Sequence, residues 1–348
     1  MRFLLFSFLL LFTVLANAQG RKYSNEFLKI GIGADAMAKA GAVVATSQGV
    51  QAAYWNPAGL GNLQTREAGI MHASYFAGIA NYNYLAGAMP LDNGKAVGLS
   101  LIRFGVDDIL NTSELIDADG NVDYDRISLF NAADYAVIAS YAQPFKDRFT
   151  VGVNAKLVYR HIGDFARAIG FGFDLGAQTE WKGWKTGVVL RDITGTFNAW
   201  FINPDSFSET LEETGNELPE DALEITLPSL QVGASRDFTI YEGIGLEAEI
   251  DLFGSFDGKR NDLISTNFAS FTPALGLNFD YENFVFLRLG MGNFQNYQEI
   301  SGGQTLGFQP NLGLGLVYNN IQIDYALTDI GDQSVALYSN IFSVKFAF

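Results

Sequence analysis

The chain ends on Ile341-Phe342-Ser343-Val344-Lys345-Phe346-Ala347-Phe348, and this stretch decides the fold. Its side chains alternate between an apolar, mostly aromatic set and a set of small or polar residues. A period of two indicates a β-strand with two different faces. A strand that closes a barrel in lipid has this pattern, with an aromatic residue at the membrane–water boundary. The last strand of a soluble β-sandwich also alternates, so the rest of the chain has to separate the two.

The composition favours paired strands over helices. The chain has 348 residues and is 48% hydrophobic, with 37 glycines, 29 phenylalanines and 15 tyrosines. After residue 20 it has no apolar run long enough for a membrane-spanning helix. Glycine destabilises helices, whereas aromatic residues are enriched in strands. We therefore expect closely paired strands with an aromatic surface.

Charge and residue usage exclude several functions. A net charge of −16 argues against nucleic-acid binding, which relies on Lys and Arg. The absence of cysteine excludes disulfides and thiolate chemistry. The two histidines, His72 and His161, lie in no metal-ligand pattern, and Gly31-Ile32-Gly33 lacks the preceding strand of a dinucleotide site. The sequence predicts a protein that is not an enzyme and has no cofactor.

The pattern divides the chain into three parts. Residues 1–18 read as a cleaved signal peptide, with Arg2 before an apolar run that ends in the cleavage site Ala16-Asn17-Ala18. Residues 19–65 are rich in small residues and turn signals and predict a compact, mostly helical N-terminal hatch. Residues 66–348 alternate throughout and predict a transmembrane β-barrel.

Strand length and connection length separate a barrel from a sandwich. We predict about fourteen antiparallel strands, many of them nine to eleven residues long, as a tilted strand needs to cross a bilayer. They lie near 66–76, 82–90, 95–104, 131–143, 149–161, 168–181, 184–191, 225–237, 242–252, 271–281, 284–292, 305–318, 320–328 and 339–348. Tight turns are predicted at 92–94, 146–147, 182–183, 282–283 and 319–320, and longer loops at 105–130, 192–224, 253–270, 293–304 and 329–338. Short turns on one side and long loops on the other indicate an outer-membrane barrel with both termini in the periplasm.

Charged residues on the barrel strands are predicted to face the lumen. They are Lys156, Arg160, Asp174, Glu247, Glu249, Asp251, Arg288, Asp324 and Lys345. A network that fills and rigidifies the interior is one explanation, and the lining of a selective pore is the other. Phe284 and Phe286 are predicted on the lumen side of one strand, as apolar lining.

The predicted loop 192–224 has nine acidic residues and no Lys or Arg. A solvated acidic surface explains this composition, as does a site for a cation or a partner. Trp200, Phe201 and Phe207 lie inside this loop and are the partner-binding candidates. Packing of the same aromatic rings on the barrel rim is the alternative.

One segment has the oxygen spacing of a calcium loop, with Asp117, Asp119, Asn121 and Asp123. Its glycine stands at the fourth place instead of the sixth, and Ser128 occupies the twelfth place, where an EF-hand has Glu. Asp-Gly and Gly-Asn are also ordinary residues of a hairpin tip. We predict no metal site and keep these four residues as the calcium candidate.

The N-terminal region resembles the signature of the PorV/PorQ family of outer-membrane proteins. The resemblance lies in the stretch from Asn25 to Ala42, in Val44-Ala45-Thr46 and in Ala53-Tyr54-Trp55-Asn56-Pro57-Ala58-Gly59-Leu60, and it is closer to PorV than to PorQ. That family is similar to the FadL fatty-acid transporters, which are fourteen-stranded barrels with an Asn-Pro-Ala motif in the hatch. The matching hatch motif is Asn56, Pro57, Ala58 and Gly59. The closing strand, with Phe342, Val344, Phe346 and Phe348, is similar to the C-terminal insertion signal of such barrels.

The resemblance implies an outer-membrane component of the type IX secretion system that binds a translocon subunit or cargo proteins. A FadL-like channel for small hydrophobic compounds is the alternative, and would need an apolar pocket against the hatch and a lateral opening or strand kink. A loop-borne enzyme activity is the third hypothesis. The expected partners are outer-membrane lipid, a secretion-system protein or its cargo, and a bound lipid or detergent-like molecule.

Overall fold

The computed structural model describes residues 24–116, 120–146, 148–206, 220–298, 303–330 and 338–348. The predicted signal peptide 1–18 lies outside them. The strands are β1 (Glu67–Tyr75), β2 (Ala80–Pro90), β3 (Ala96–Asn111), β4 (Ser128–Phe145), β5 (Phe149–Ile162), β6 (Ala166–Trp181), β7 (Trp184–Arg191), β8 (Thr196–Ile202), β9 (Ala222–Thr226), β10 (Ser229–Tyr241), β11 (Ile244–Ser255), β12 (Ile264–Ser265), β13 (Ser270–Tyr281), β14 (Val285–Gln298), β15 (Gln304–Tyr318), β16 (Ile321–Thr328) and β17 (Ser339–Ala347).

Fourteen of these strands close a barrel, which confirms the predicted fold. Each pairs antiparallel with the next in the order β1 to β7, β10, β11 and β13 to β17. β17 pairs back on β1, with Glu67 opposite Ala347 and Ser74 opposite Asn340. Closure satisfies the backbone groups that an open sheet edge would leave unpaired.

Two neighbouring barrel strands are interrupted at the same level. β7 ends at Arg191, and after residues 192–195 the chain resumes pairing on β6 as β8. β9 pairs with β8, and residues 227–228 separate it from β10. Asp192 and Gly195 have positive φ, and Pro228 has no N–H for a ladder. We call this interruption the wall break. It also corrects the predicted loop 192–224, which contains β8 and the first three residues of β9.

The connections define two ends of the barrel. Short turns follow β2, β4, β6, β10, β13 and β15. They lie at the same end as Arg66, whose backbone pairs with that of Phe348. We call this the turn end and the opposite end the loop end. The predicted long loops lie at the loop end, but those at 105–130 and 293–304 are shorter than predicted, because β3 extends to Asn111 and β14 to Gln298. Residues 76–79 and 163–165 are short connections at the same end.

The hatch folds as short helical turns inside the barrel. The helices are α1 (Ala34–Met37) and α2 (Ala52–Trp55), and 3₁₀ turns cover Glu26–Lys29, Gly49–Gln51 and Pro57–Asn62. Further 3₁₀ turns lie in the connections at Phe76–Gly78, Asp92–Gly94, Tyr124–Arg126 and Pro204–Ser206. Across the described ranges, none of the helices is long and apolar enough to cross a membrane.

The outer surface of the barrel is apolar and is bordered by aromatic rings at the turn end. Ile169, Phe171, Phe173 and Leu175 of β6 all point outward and are exposed. The exposed aromatic residues of the turn end are Phe145, Phe149, Trp181, Trp184, Tyr241, Tyr281, Phe284, Tyr318, Phe346 and Phe348. Such a girdle marks a membrane–water interface. Phe342 also points outward, and Val344, which lies between Phe342 and Phe346, is half-buried.

Candidate functional site: the hatch and the lumen

The hatch motif ties the hatch to itself and to the barrel wall. The side chain of Asn56 is fully buried, and its Oδ1 accepts a hydrogen bond from the N–H of Ala58 at 3.2 Å. Its Nδ2 donates to the carbonyl of Val44 in the hatch at 2.9 Å and to that of Ala177 on β6 at 3.2 Å. Asn56 thereby caps the turn that begins at Pro57, a position that favours proline.

Two glycines of the wall make room for this motif. A Cβ on Gly176 of β6 would lie 2.2 Å from Oδ1 of Asn56, and one on Gly152 of β5 would lie 2.3 Å from the carbonyl carbon of Pro57. Only glycine allows such a close approach of hatch and strand. The motif therefore seats the hatch flush against β5 and β6.

Two carboxylates of β11 hold the next hatch segment. Oδ2 of Asp251 accepts hydrogen bonds from the N–H groups of Val43 and Val44, both at 3.0 Å. Glu249 accepts from the N–H of Ala45 at 2.7 Å and from the hydroxyl of Thr46. These two residues, both predicted to face the lumen, thus accept hydrogen bonds from backbone N–H groups that the hatch does not pair by itself.

Ion pairs fasten the hatch to the opposite strands. Lys39 lies 3.0 Å from Glu247 of β11, and Asp35 lies 2.8 Å from Lys345 of β17. Burial by itself would raise the pKa of Asp35, but the ammonium of Lys345 outweighs it and holds that pKa below its ordinary value. Burial would likewise lower the pKa of Lys39, and the carboxylate of Glu247 reverses the shift to a raised pKa. Both hatch groups are therefore charged at neutral pH.

A buried ion cluster lies at the wall break. The ammonium of Lys156 is 2.7 Å from Asp174 and 2.5 Å from Asp192, which begins the break. The neighbouring guanidinium of Arg191 donates to the carbonyls of Tyr54 and Trp55 in the hatch, at 2.9 and 3.2 Å. The cluster thus joins the wall break to the hatch, and a cavity of about 20 Å³ lies between them.

The remaining predicted lumen charges also lie on the inner face. Arg160 bonds to Asp134 on the adjacent strand at 2.8 Å, and Arg288 bonds to Asp324 at 2.7 Å. Pairing of this kind is what an interior network requires. A polar cavity of about 570 Å³ opens at the turn end beneath the hatch, and Phe286 and Arg288 border it. Phe284, predicted beside Phe286, is instead exposed in the turn-end girdle.

An aromatic cluster lies at the other side of the hatch, toward the loop end. Tyr75 of β1, Tyr82 of β2 and Phe104 of β3 face the lumen, and the ring of Tyr82 lies 6.4 Å from that of Tyr75 and 6.0 Å from that of Phe104. They belong to the same apolar core as Phe27 and Leu28 of the hatch. The alternating pattern does not identify these residues, because aromatic side chains at alternate positions indicate the lipid face. Asn81 and Asn83, which alternate with the tyrosines, were the available signal.

The loop candidates are only partly accessible. Trp200 lies on β8, where its Nε1 donates to Glu224 at 2.7 Å and Arg160 stacks on its ring. Phe201 next to it is 43% exposed. Phe207 lies outside the described residues, as do the calcium candidates Asp117 and Asp119. Asp123 accepts from the N–H of Asp125, which is ordinary turn geometry, and no metal-ligand group forms among the residues that the structure describes.

No family model and no curated protein matches the sequence. Solved structures match nearly the whole chain. The toluene transporter TodX of P. putida has a TM-score of 0.56 at 13% identity, covering 91% of this chain and 99% of that chain. The monoaromatic hydrocarbon channel CymD has a TM-score of 0.53 at 11% identity, covering 92% of this chain and 98% of that one. A FadL homologue of Pseudomonas aeruginosa has a TM-score of 0.52 at 13% identity, covering 90% and 98%. These identities establish a shared FadL-type fold and no more.

Proposed function

We propose that the chain is a non-enzymatic channel of the outer membrane that admits a small hydrophobic compound. The observation that carries this proposal is the aromatic cluster of Tyr75, Tyr82 and Phe104, which packs with the hatch inside a barrel of FadL type. Aromatic and apolar side chains predominate at the usual binding sites for such compounds. The structural neighbours, named as transporters or channels for toluene and monoaromatic hydrocarbons, point to the same class.

In this proposal the compound leaves the lumen sideways, through the wall break, and enters the lipid. The hatch lies in the lumen, where Asn56, Asp251 and Glu249 join it to the wall by buried hydrogen bonds. The wall break interrupts the ladder of β7 and β10 beside the hatch, at the level of Asp192 and Pro228. A compound that left the barrel there would enter lipid without crossing water. In this proposal the loop end faces the outside and both termini lie in the periplasm.

Uptake measurements test the channel. Cells that lack their own hydrocarbon channels would produce this protein, and uptake of radiolabelled toluene would be compared with uptake of a sugar of similar size. We expect faster toluene uptake and no gain for the sugar. Unchanged uptake of toluene and of larger aromatic compounds, with the barrel folded in the membrane, would contradict the proposal.

A component of type IX secretion is the second candidate, and the attachment of the hatch to the barrel wall favours it. Ion pairs at Lys39 and Asp35 fix the hatch in the barrel. A barrel with a fixed hatch can act by binding a protein at its surface instead of passing a compound through its interior. Phe201 on the acidic β8–β9 hairpin is an exposed contact for a translocon subunit or cargo. Affinity purification from mild detergent should then recover secretion partners, and Phe201→Ser should reduce their yield. Recovery of the barrel alone with a bound lipid-like molecule favours the channel.

A further inference from the structure

The turn-end girdle is basic on one side of the barrel and acidic on the other. The turns after β4 and β6 carry the exposed residues Lys146 and Lys182, and the exposed Arg236 follows on β10. The turns after β10 and β13 carry the exposed residues Glu242 and Glu282. Acidic residues outnumber basic ones in the chain by 38 to 22, so the average composition does not account for the basic side.

Two of these cations flank a pair of tryptophans. Trp181 and Trp184 lie directly opposite each other in the β6–β7 hairpin, and Arg236 lies opposite Trp184 in the β7–β10 register. The ammonium of Lys182 is 4.5 Å from the ring centroid of Trp181, and the guanidinium of Arg236 is 5.3 Å from that of Trp184. Because neighbouring strands are about 4.8 Å apart, the three strand positions lie within about 10 Å along the rim.

The carboxylates of the same strand ends point into the barrel. Side chains alternate on β6 and β10, so Trp181 and Arg236 point outward and Glu180 and Asp237 point inward. Lys185 lies opposite Glu180 in the register and 2.8 Å from Asp237, and it borders the polar cavity of the turn end together with Asp237. These two carboxylates therefore pair within the lumen and leave the outward cations available to a ligand.

The backbone of the turn does not explain the lysine. Lys182 has a φ of 53°, in the left-handed region that favours glycine and asparagine. Asn319 occupies the first position of the β15–β16 turn with a φ of 52°. Lys146 repeats the arrangement in the neighbouring hairpin, with a φ of 58° and its ammonium 5.4 Å from the ring centroid of Phe145. What the lysines add to these turns is a positive charge beside an outward aromatic ring.

We infer that this part of the girdle binds an anionic phospholipid, with the phosphate of its headgroup held between Lys182 and Arg236. Lys and Arg are the side chains that bind phosphate most strongly. Tryptophan rings at a membrane interface lie at the level of the headgroups. The inference goes beyond transport through the lumen and takes from the proposed function only the orientation, which puts this rim in the phospholipid leaflet that faces the periplasm.

The outer face below the tryptophans fits the acyl chains of the same lipid. Leu175 and Leu190 lie opposite each other in the β6–β7 register, and both are exposed on the outer face. A free phosphate would gain nothing from this apolar surface, so a lipid is the occupant that uses both parts. Phosphatidylglycerol is the matching headgroup, because it has no amine to offset the phosphate charge.

Quenching of tryptophan fluorescence by brominated lipids measures this binding, because Trp181 and Trp184 lie at the site. The full-length barrel would be reconstituted in phosphatidylcholine vesicles that contain brominated phosphatidylglycerol or, in parallel, brominated phosphatidylcholine at the same mole fraction. We expect phosphatidylglycerol to bind more tightly by about fivefold for each cation, as for a basic side chain near an anionic lipid. High salt should weaken the preference.

The variants separate lipid binding from folding. Lys182→Asn removes the charge and supplies a residue that the turn favours, so we expect about a fivefold loss of preference with no fall in the unfolding temperature. Arg236→Gln should cause a similar loss, and the double variant should bind the two lipids about equally. Glu282→Asn is the matched control, because Glu282 has a φ of 51° in a turn on the acidic side of the girdle. It should keep the preference.

Equal quenching by the two brominated lipids in the wild type would overturn the inference. A preference that survives in the double variant would overturn it as well, because the lipid would then bind elsewhere. Neither result bears on the channel, which the uptake of toluene tests separately.

Discussion

Asp251 on β11 accepts a hydrogen bond from the backbone N–H of Val44 in the hatch, at 3.0 Å. The same oxygen accepts from Val43 and from the side chain of Gln231. A single side chain of the wall thus satisfies backbone that the irregular hatch cannot pair by itself. The hatch behaves as part of the barrel core, although its residues from 24 onward form no strand.

Replacing Asp251 should loosen the hatch without opening the barrel. Asp251→Ala leaves two buried N–H groups unpaired, at a cost of about 1–3 kcal/mol for each. We expect a protease to cleave the hatch of the variant faster, while the barrel still shows its heat-modifiable shift on gels. Asp237→Asn is the control, because that carboxylate is exposed at the turn end. Equal cleavage of both variants would mean that Asp251 does not hold the hatch.

Filling the space beside the hatch motif should displace it. Gly176→Ala places a Cβ 2.2 Å from Oδ1 of Asn56 and 2.9 Å from Cδ of Pro57. Overpacking of this kind costs about 1–3 kcal/mol. We expect single-channel recordings in planar bilayers to show larger conductance than the wild type. Gly87→Ala is the matched control, since its nearest atom would be an ordinary 3.9 Å away. A closed Gly176→Ala barrel would contradict the seating of the motif.

The ion pair between Asp35 and Lys345 should stabilise the protein except in acid. The pKa of Asp35 is lower in the folded protein than in the unfolded chain, so its contribution is complete above the unfolded pKa of about 4. It is lost as the pH falls from there through the folded pKa. Asp35→Asn should lower the free energy of unfolding by about 1–3 kcal/mol at pH 7. Denaturant unfolding in micelles at pH 7 and at pH 2.5 should show the difference shrinking in acid. A constant difference would contradict the assignment.

The barrel was predictable from the sequence because lipid and lumen impose opposite polarity on alternate residues. On β5 the outward Val153 and Leu157 are apolar, and the inward Asn154 and Lys156 are polar. Tyr82 and Tyr84 on β2 broke this rule, because the aromatic hatch core makes the inner face apolar there. Their inward direction follows from packing against the hatch, which no local pattern encodes.

The wall break was harder to predict. The acidic composition of 192–224 indicates a loop, and strand pairing overrides it where Thr196 to Ile202 meet β6. Lys156 lies on β5 and Asp192 follows the end of β7, with β6 between them. Their pairing therefore depends on the register of three neighbouring strands. The sequence predicted the inward charge of Lys156, Asp174 and Glu249, but their partners are fixed only by the register.

A charge on the outer face should block insertion. Leu157 points outward near the middle of β5 and is 55% exposed. Leu157→Arg should cost about 2–4 kcal/mol at the centre of a bilayer, and Tyr318→Arg in the girdle about 0–1 kcal/mol. We expect the yield of folded protein in lipid vesicles, read from the heat-modifiable shift, to fall for the first variant alone. Equal yields would mean that Leu157 does not face the hydrocarbon.

The wall break should depend on its buried cation. Lys156→Met removes the ammonium that lies within hydrogen-bond distance of both Asp174 and Asp192. The two buried carboxylates then lose this compensating charge. Removing one partner of a buried ion pair costs about 3–5 kcal/mol, whereas exposed pairs contribute about 0–1 kcal/mol. Lys185→Met is the matched control, because Asp237, one of its partners, is largely exposed. We expect denaturant unfolding to show a loss several times larger for Lys156→Met. Under the channel proposal, this variant should also change the rate of toluene uptake, while Lys185→Met should not. Equal losses of stability in the two variants would show that the cluster does not fasten the wall at Asp192.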